Sequence, residues 1–228
     1  MKETAKAFYT QLADGYAAKI RQLVPRYDDM VHGIVELLRM CAPEGVLELG
    51  AGVGNLSQII LQILPHVRIT AVEASEEMAA AARQRFRAKA DRVTIVQADI
   101  LDLSPEEPFD AIFSNLVLHN IPLEEKRRLL RTIIEWLRPG GAFVWGDLIR
   151  YSDPRLQAHF VRQRMDFALA EGCPSALVTE NFEKEAHADF PLTVEETLHL
   201  AKNAGFRDPQ IVWTHDTFAV FFMRTPEQ

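Results

Sequence analysis

Three glycines spaced two residues apart, Gly50, Gly52 and Gly54, follow a short apolar run that contains one carboxylate, Glu48. Glycine accepts a positive φ and lets the backbone approach a ligand where a Cβ atom would block it. A buried strand that turns into a helix at this point also presents free backbone N–H groups to the ligand. The pattern predicts a small-molecule cradle. It does not choose the ligand, because dinucleotide-binding enzymes carry a similar turn.

Three carboxylates stand at positions where they could bind such a ligand. Glu48 lies inside the end of a predicted strand, where a buried carboxylate is costly without a cationic partner. Glu73 ends the apolar run 67–72, at the distance from the glycines that suits an acid binding a ribose diol. Asp99 follows the run 93–96. Structural roles are the alternatives: Glu48 could cap a helix, Glu73 could begin the next helix, and Asp99 could end a strand.

Apolar runs alternate with helical stretches between residues 43 and 147. Further runs at 109–113 and after residues 137–141 supply a fourth and a fifth strand. This order predicts an α/β, doubly wound parallel sheet with a ligand crevice at the carboxyl ends of the strands. We expect Asn55 and Ser57 to cap the helix that follows the glycines.

Together these landmarks resemble the class I S-adenosylmethionine-dependent methyltransferases over roughly residues 43 to 224. The matching segments are Glu48 to Gly54, Glu73, Asp99, Ser114-Asn115 and the turn from Leu137 to Gly141. The resemblance implies a Rossmann-like seven-stranded sheet with its last strand antiparallel, and S-adenosyl-L-methionine as the cofactor. A nicotinamide enzyme would explain the glycines and Glu73, but neither Glu48 nor Asp99.

The same resemblance implies which residue binds which part of the cofactor. Glu48 would bind its amino-acid end, Glu73 its ribose hydroxyls and Asp99 its adenine amino group. The other residues expected to bind it are Tyr16, Gly50, Ala51, Gly52, Gly54, Ala74, Met78, Ile100 and Asn115. Met78 is also consistent with a plain core position.

The acceptor side is predicted from residue chemistry. Methyl transfer from a sulfonium is an in-line displacement that depends on positioning, and it needs no metal. His119 is a candidate base because imidazole titrates near neutrality, although it could instead brace the turn into the next helix. Asp147, near the end of the fifth strand, is the second catalytic candidate. The substrate-binding candidates are Tyr27, Trp145, Arg150 and Arg164. Either arginine could clamp a carboxylate or lie on the surface.

We predict a single domain over residues 1–228, because a chain of this length can bury one sizeable core. Its parts are an N-terminal helical cap (1–42), a cofactor-binding core (43–149), a lid insertion (150–191) and a C-terminal helix with a strand pair (192–228).

Local signals place helices and strands within these parts. The cap should contain helices at 3–24 and 28–41. The lid, which we expect to be mostly apolar inside, should begin a helix at Asp153-Pro154 and break at 172–174. A capped helix should run from Thr193 to Gly205. Only three residues join the last two strands, at 211–214 and 218–223, so they should pair antiparallel.

Composition limits the partners. The chain has 25 Lys and Arg against 32 Asp and Glu, a net charge of −7, and lacks the basic footprint of a nucleic-acid-binding protein. Its two cysteines are too few for a disulfide framework, and no apolar run approaches membrane-spanning length. We expect a cytoplasmic enzyme whose partner is a small-molecule methyl acceptor, with no membrane or nucleic-acid partner, and we allow for a homodimer.

Within the class, segments 24–30 and 204–206 and the lid resemble the carboxy-S-adenosylmethionine synthase branch. That branch holds its carboxylated cofactor with an arginine before the last helix, but the matching stretch 180–186 has none. Lys184 lacks the planar donor pair of an arginine. This departure favours ordinary methyl donation to oxygen, nitrogen or carbon of a small molecule. The alternatives are a tRNA- or nucleic-acid-modifying enzyme, an enzyme like the carboxy-S-adenosylmethionine synthases, and a catalytically silent cofactor-binding partner protein.

Overall fold

The computed structural model describes residues 15–227, which contain a seven-stranded sheet. The strands are β1 (Gly45–Leu49), β2 (Arg68–Glu73), β3 (Val93–Gln97), β4 (Phe109–Asn115), β5 (Leu137–Leu148), β6 (Arg207–His215) and β7 (Phe218–Arg224). Their spatial order is β3-β2-β1-β4-β5-β7-β6. Strands β1 to β5 pair in parallel, whereas β7 pairs antiparallel with both β5 and β6. The predicted fold class is therefore confirmed.

The strand order reverses between β1 and β4, and this reversal positions the site. From β1 the chain proceeds outward to β2 and β3, and then returns to β4 on the other side of β1. The connections after β1 and β4 leave the sheet in opposite directions, so a crevice opens between their carboxyl ends. Gly50 and Leu116, the residues that follow these two strands, stand at that crevice.

Eight α-helices are present among the described residues. They are α1 (Tyr16–Leu23), α2 (Tyr27–Cys41), α3 (Asn55–Ile63), α4 (Glu76–Arg85), α5 (Leu123–Trp136), α6 (Pro154–Ala170), α7 (Ser175–Ala188) and α8 (Val194–Ala204). Helix α1 lies within the helix predicted at 3–24, of which residues 3–14 lie outside the described residues. None of the helices in the described part of the chain is long and apolar enough to cross a membrane.

Two apolar clusters form the core, one on each face of the sheet. Alternate residues of β4 divide between them, since Ala111 and Phe113 belong to one cluster and Ile112 to the other. The first cluster is completed by α1, α2 and α3, and the second by α5 and α8. This alternation is the period of two that a strand covered on both faces requires.

Two local predictions are wrong. Helix α3 begins after Gly54, and neither Asn55 nor Ser57 caps it. The Ser57 hydroxyl donates to Glu48 instead, and Asn55 Oδ1 accepts from Arg85 at 2.6 Å. The turn predicted at residues 137–141 is a register shift inside β5, because Leu137 already pairs with Phe109 before Ala142 pairs with Ala111.

The segment after β5 is helical, as predicted. Asp153 caps α6 by accepting from the backbone N–H of Arg155, and Gly172 takes φ +77° where that helix ends. Helix α7 follows and packs against α6. Thr193 and Glu196 form the expected capping box of α8. The domain boundaries given above stay predictions.

Candidate active site

A cleft of about 610 Å³ lies at the carboxyl ends of β1, β2, β3 and β4. It is lined by Tyr16, Gly50, Gly52, Glu73, Ala74, Met78, Asp99, Ile100, Asn115, Leu116, Val117, Asn120 and Ile121. Every residue predicted to bind the cofactor is among these except Glu48, Ala51 and Gly54. Residues from four separate strand ends meet here because parallel strands end on the same edge of the sheet.

The three glycines lack a side chain for two different reasons. A Cβ at Gly50 would lie 2.3 Å from a methyl carbon of Val117, and one at Gly54 would lie 2.4 Å from the ring of Phe86. A Cβ at Gly52, where φ is +55°, would meet nothing closer than Met78 Sδ at 3.8 Å. Only at Gly52 does the missing side chain leave space at the cleft, which is the opening the sequence predicted for a ligand.

Glu73 connects the glycine turn to the start of α4. Its Oε2 accepts from the backbone N–H of Gly52 and its Oε1 from that of Ser75, both at 2.8 Å. The carboxylate is thus held rigidly at the cleft wall, and its structural and ligand-binding roles are compatible. Asp99 also lines the cleft, and its Oδ1 accepts from the N–H of Leu101 at 3.1 Å.

Asn115, the last residue of β4, carries an acceptor with no partner. Its Oδ1 is buried and has no hydrogen bond among the residues that the structure describes. A buried carbonyl oxygen left in this state costs about 1–3 kcal/mol. An N–H donor from a molecule in the cleft would remove that cost.

Glu48 lies behind the cleft and does not line it. It is buried, and its Oε2 accepts from the Ser57 hydroxyl. Burial raises the pKa of its carboxyl to about 8, the Ser57 hydrogen bond opposes this rise, and the nearby charge of Glu73 adds to it. No cation pairs with Glu48 among the described residues, so a cationic group of the ligand stays its predicted partner.

A second cavity of about 540 Å³, which we call the side cavity, adjoins the cleft. Tyr16 and Leu116 line both. The side cavity is further lined by Ile20, Leu23, Val24, His119, Leu148, Arg164, Asn181, Lys184, Glu185, Asp189 and Phe218. Helices α6 and α7 therefore contribute a charged wall, contrary to the mostly apolar lid that we expected.

His119 and Asp147 form a buried pair. His119 Nδ1 lies 2.5 Å from Asp147 Oδ1, which also accepts from the backbone N–H of Leu148 at 2.9 Å. Asp147 Oδ2 accepts from Trp145 Nε1 at 2.8 Å. Because a carboxylate only accepts, Nδ1 carries the proton, and in the neutral imidazole Nε2 is the basic atom. This arrangement orients a base.

The basic atom of His119 faces a polar network that we did not predict. The Nδ2 of Asn120 lies 3.2 Å from His119 Nε2, and its Oδ1 accepts from Lys184 Nζ at 2.8 Å. Lys184 also donates to Asp189 Oδ1 at 2.6 Å. Asn120 adjoins the predicted base in sequence, which was a usable signal. The partners on α7 and after it lie about sixty residues away, and no pattern connected them.

Lys126 on α5 is a second residue that sequence reasoning missed. Its side chain is fully buried, and Nζ donates to the backbone carbonyl of Phe190 at 2.7 Å. The backbone N–H of Phe190 donates to the carbonyl of His119 at 2.6 Å. Burial lowers the pKa of Lys126 to about 8, partly offset by the charges of Asp147 and Asp189. Lys126 thus fixes the chain between α7 and α8 against the His119 turn.

The four substrate-binding candidates lie in different surroundings. Only Arg164 lines the side cavity. Arg150 pairs with Glu196 in a partly exposed salt bridge of 2.5 Å, and Trp145 packs on Phe143 and supports Asp147. Tyr27 is buried beside Asn115, and burial raises the pKa of its phenol to about 12, so it keeps its proton at neutral pH.

Comparison with known proteins identifies the family. A family model described as a methyltransferase domain matches residues 46–141. The carboxy-S-adenosyl-L-methionine synthase of Pseudomonas entomophila is 30% identical over 200 residues, which cover 82% of this chain and 79% of that protein. The chain belongs to the class I S-adenosylmethionine-dependent methyltransferases. The synthase of Campylobacter concisus is 26% identical over 204 residues, with coverage of 89% and 87%, and supports the same branch of the family.

Solved structures agree on the fold of this methyltransferase. The structure of DhpI in complex with SAH matches it with a TM-score of 0.68 and 20% sequence identity, covering 99% of this chain and 97% of that one. Several other structures with the fold are longer, and the methyltransferase spans 51% to 60% of their length.

S-adenosylmethionine is the cofactor of this enzyme, and the cleft fits it. The space at Gly52 admits a ligand against the backbone, and Asn115 offers an unpartnered oxygen suited to an amino group. The carboxylates of Glu73 and Asp99 stand where hydroxyl and amino donors can reach them. The donor set therefore matches a nucleoside joined to an amino acid.

Proposed function

We propose that this enzyme transfers the methyl group of S-adenosylmethionine to a small molecule bound in the side cavity. The observation that carries the proposal is that the two cavities share Tyr16 and Leu116. Donor and acceptor can then meet where these two side chains border both cavities, and in-line displacement requires this proximity. The bound cofactor supplies an electrophilic methyl group and is released as S-adenosylhomocysteine.

Residues of the cleft hold the donor in this proposal. Glu73 binds the ribose hydroxyls, Asp99 binds the adenine amino group, and Asn115 accepts from the amino-acid portion. Ala74, Ile100 and Met78 flank the base. Gly50 and Gly52 allow close backbone approach. Glu48 interacts with the positive amino end from behind the glycine turn.

His119 acts as the general base on the acceptor side. Asp147 holds the Nδ1 proton, so Nε2 carries the lone pair. A hydroxyl or amine of the acceptor replaces Asn120 Nδ2 at this atom and passes its proton to Nε2 as the new bond forms. Trp145 and the Leu148 N–H keep Asp147 in place, and they act through it without touching the substrate. General base catalysis of this kind contributes about 10²- to 10⁴-fold.

A second function is favoured by one observation. The relatives that match most of the chain are named carboxy-S-adenosyl-L-methionine synthases. A reaction like theirs would need an anion site for a carboxylated cofactor. The segment that should supply an arginine carries Lys184, whose ammonium already binds Asn120 and Asp189. Ordinary methyl donation is therefore the leading proposal.

The test follows the methyl group and the cofactor separately. The enzyme is incubated with methyl-labelled S-adenosylmethionine and a panel of small hydroxy and amino compounds, together with carboxylic acids that could donate a carboxyl group. Both the acceptor and the nucleoside product are identified by mass spectrometry. We expect labelled acceptor with equimolar S-adenosylhomocysteine. A carboxylated nucleoside product would establish the second function instead.

Variants of the His119–Asp147 pair test the mechanism. His119→Gln and Asp147→Asn should each lower kcat by about 10²-fold or more, while the affinity for S-adenosylmethionine measured by calorimetry stays within about twofold. Unchanged kcat in folded His119→Gln would rule out the base.

A further inference from the structure

Arg164 on α6 is a buried cation with an unused edge. Only 2% of the residue is exposed, and its guanidinium carbon lies over the rings of Phe182 and Phe218, 4.8 and 4.6 Å from their centres. The hydrogen-bond donors of a guanidinium all point outward in its plane. Arg164 lines the side cavity, so one of these in-plane directions can meet a bound molecule.

Protein groups occupy one edge of this guanidinium. Nη1 donates to Glu185 Oε1 at 2.9 Å and to Thr217 Oγ1 at 2.8 Å. Nε is buried and has no acceptor among the described residues, and no bond within that part of the chain involves Nη2. Nε and Nη2 form the parallel donor pair that matches the two oxygens of a carboxylate.

Other cations near the side cavity are already engaged. Lys184 donates to Asn120 and Asp189, and Lys126 donates to the carbonyl of Phe190. Arg164 alone, among the arginines and lysines that line the side cavity in the described chain, keeps donors without an acceptor. A buried charged group in this state is unfavourable, and a planar anion would satisfy it.

The ion pairs on the helical wall of the side cavity are balanced, because Arg164 is matched by Glu185 and Lys184 by Asp189. Arg164 therefore has its charge paired, while Nε and Nη2 remain available as hydrogen-bond donors.

We propose that the acceptor is a small organic acid whose carboxylate binds side-on to Nε and Nη2 of Arg164, while a separate hydroxyl or amino group receives the methyl group. This inference rests on the proposed function and adds the substrate class to it. Arg164 determines which acceptors bind, and His119 accepts the proton of the group that is methylated. The two residues line the same cavity, so one small molecule can reach both.

The test uses a matched pair of probes that needs no methyl transfer. Crystals of the enzyme saturated with S-adenosylhomocysteine are soaked with para-iodobenzoate or para-iodobenzamide, and the iodine is located by anomalous scattering. We expect benzoate in the side cavity with its carboxylate within hydrogen-bond distance of Arg164 Nε, and at least tenfold tighter binding than the amide in calorimetry. Equal binding of the two probes, or benzoate bound away from Arg164, would overturn the proposal.

Variants on α6 provide the second measurement. Arg164→Lys keeps the charge but loses the paired donors, so the Kd of para-iodobenzoate should rise at least tenfold. Arg162→Gln, an exposed arginine on the same helix, is the matched control and should change it less than twofold. If Arg164→Lys does not fold, the comparison of benzoate with benzamide still decides. Failure of the proposed function would appear separately, as cofactor binding without turnover on any acceptor.

Discussion

Replacing Glu48 by Gln should change how stability depends on pH. Burial raises the pKa of the folded carboxyl from 4.5 to about 8, and no positively charged group balances it among the described residues nearby. The folded protein therefore binds the Glu48 proton in a range where the unfolded chain releases it. The associated stability is fully present below about pH 4.5 and is lost as pH rises to about 8.

The size of this effect follows from the shift. A difference of roughly 3.5 pKa units at about 1.4 kcal/mol per unit gives a loss of about 5 kcal/mol in the limit, of which about 3 to 4 kcal/mol falls between pH 5 and pH 8. Glutamine has nearly the same shape, keeps an acceptor for the Ser57 hydroxyl and cannot ionise. The variant should therefore escape this loss.

Urea unfolding of both proteins across that pH range, without cofactor, is the assay. The free energy of unfolding of Glu48→Gln, minus that of the wild type, should increase by about 3 to 4 kcal/mol from pH 5 to pH 8. All other titrating groups are shared and cancel in the difference. A difference that stays constant with pH would refute the reasoning, because Glu48 would then ionise as easily folded as unfolded.

The same carboxyl also links protons to the cofactor. If Glu48 meets the cationic amino end of S-adenosylmethionine, binding stabilises the carboxylate and releases close to one proton per cofactor near pH 7. Calorimetry in buffers of different ionisation enthalpy measures that release. It should disappear in Glu48→Gln, whereas release of the same size in both proteins would assign the proton to another group.

Two further predictions concern single positions. Gly52→Ala and Gly172→Ala should each cost about 1–2 kcal/mol of stability, because both glycines have positive φ. Only Gly52→Ala should weaken cofactor binding, by about tenfold in calorimetry, because Gly52 lines the cleft whereas Gly172 ends α6 with nothing within 4 Å of an added Cβ. Equal affinities of the two variants would contradict the cleft assignment. Lys126→Met removes an amine whose pKa burial lowers from 10.5 to about 8. The wild type recovers stability as pH rises through this interval. Its free energy of unfolding by urea, minus that of the variant, should therefore increase by about 3 kcal/mol between pH 7 and pH 10.5. A difference that does not change with pH would contradict the burial argument.

The donor side was predictable because it depends on strand ends. Each apolar run ends in residues that the parallel sheet brings to one edge, so Glu73, Asp99 and Asn115 had to converge. The same logic joins His119, which follows β4, and Asp147, which lies at the end of the neighbouring strand β5. What failed was local detail: the side chains expected to cap α3 are used by long-range partners instead, and helix signals in one segment cannot reveal those partners.

The side cavity depends on how α6 and α7 dock, which no local pattern encodes. Lys184 contacts Asn120 across 64 residues of sequence, and Arg164 contacts Thr217 across 53. The prediction of a mostly apolar interior failed for this reason. Of the charged residues on these helices that reach inward, the sequence indicates Arg164 as a candidate, but it gives no sign that Lys184 and Glu185 lie beside it.

The helical periodicity of α6 distinguishes the two candidate arginines, Arg164 and Arg150. Val161, Arg164, Met165 and Ala168 recur at spacings of three and four, so Arg164 occupies the stripe of α6 that faces the core. Arg150 stands outside any helix and carries no such signal. A charged residue on an apolar stripe is costly unless it binds something, and Glu185 with Thr217 uses only Nη1. The remaining donors are the feature of this chain that most directly constrains its acceptor, and the periodicity of α6 already indicated where to look.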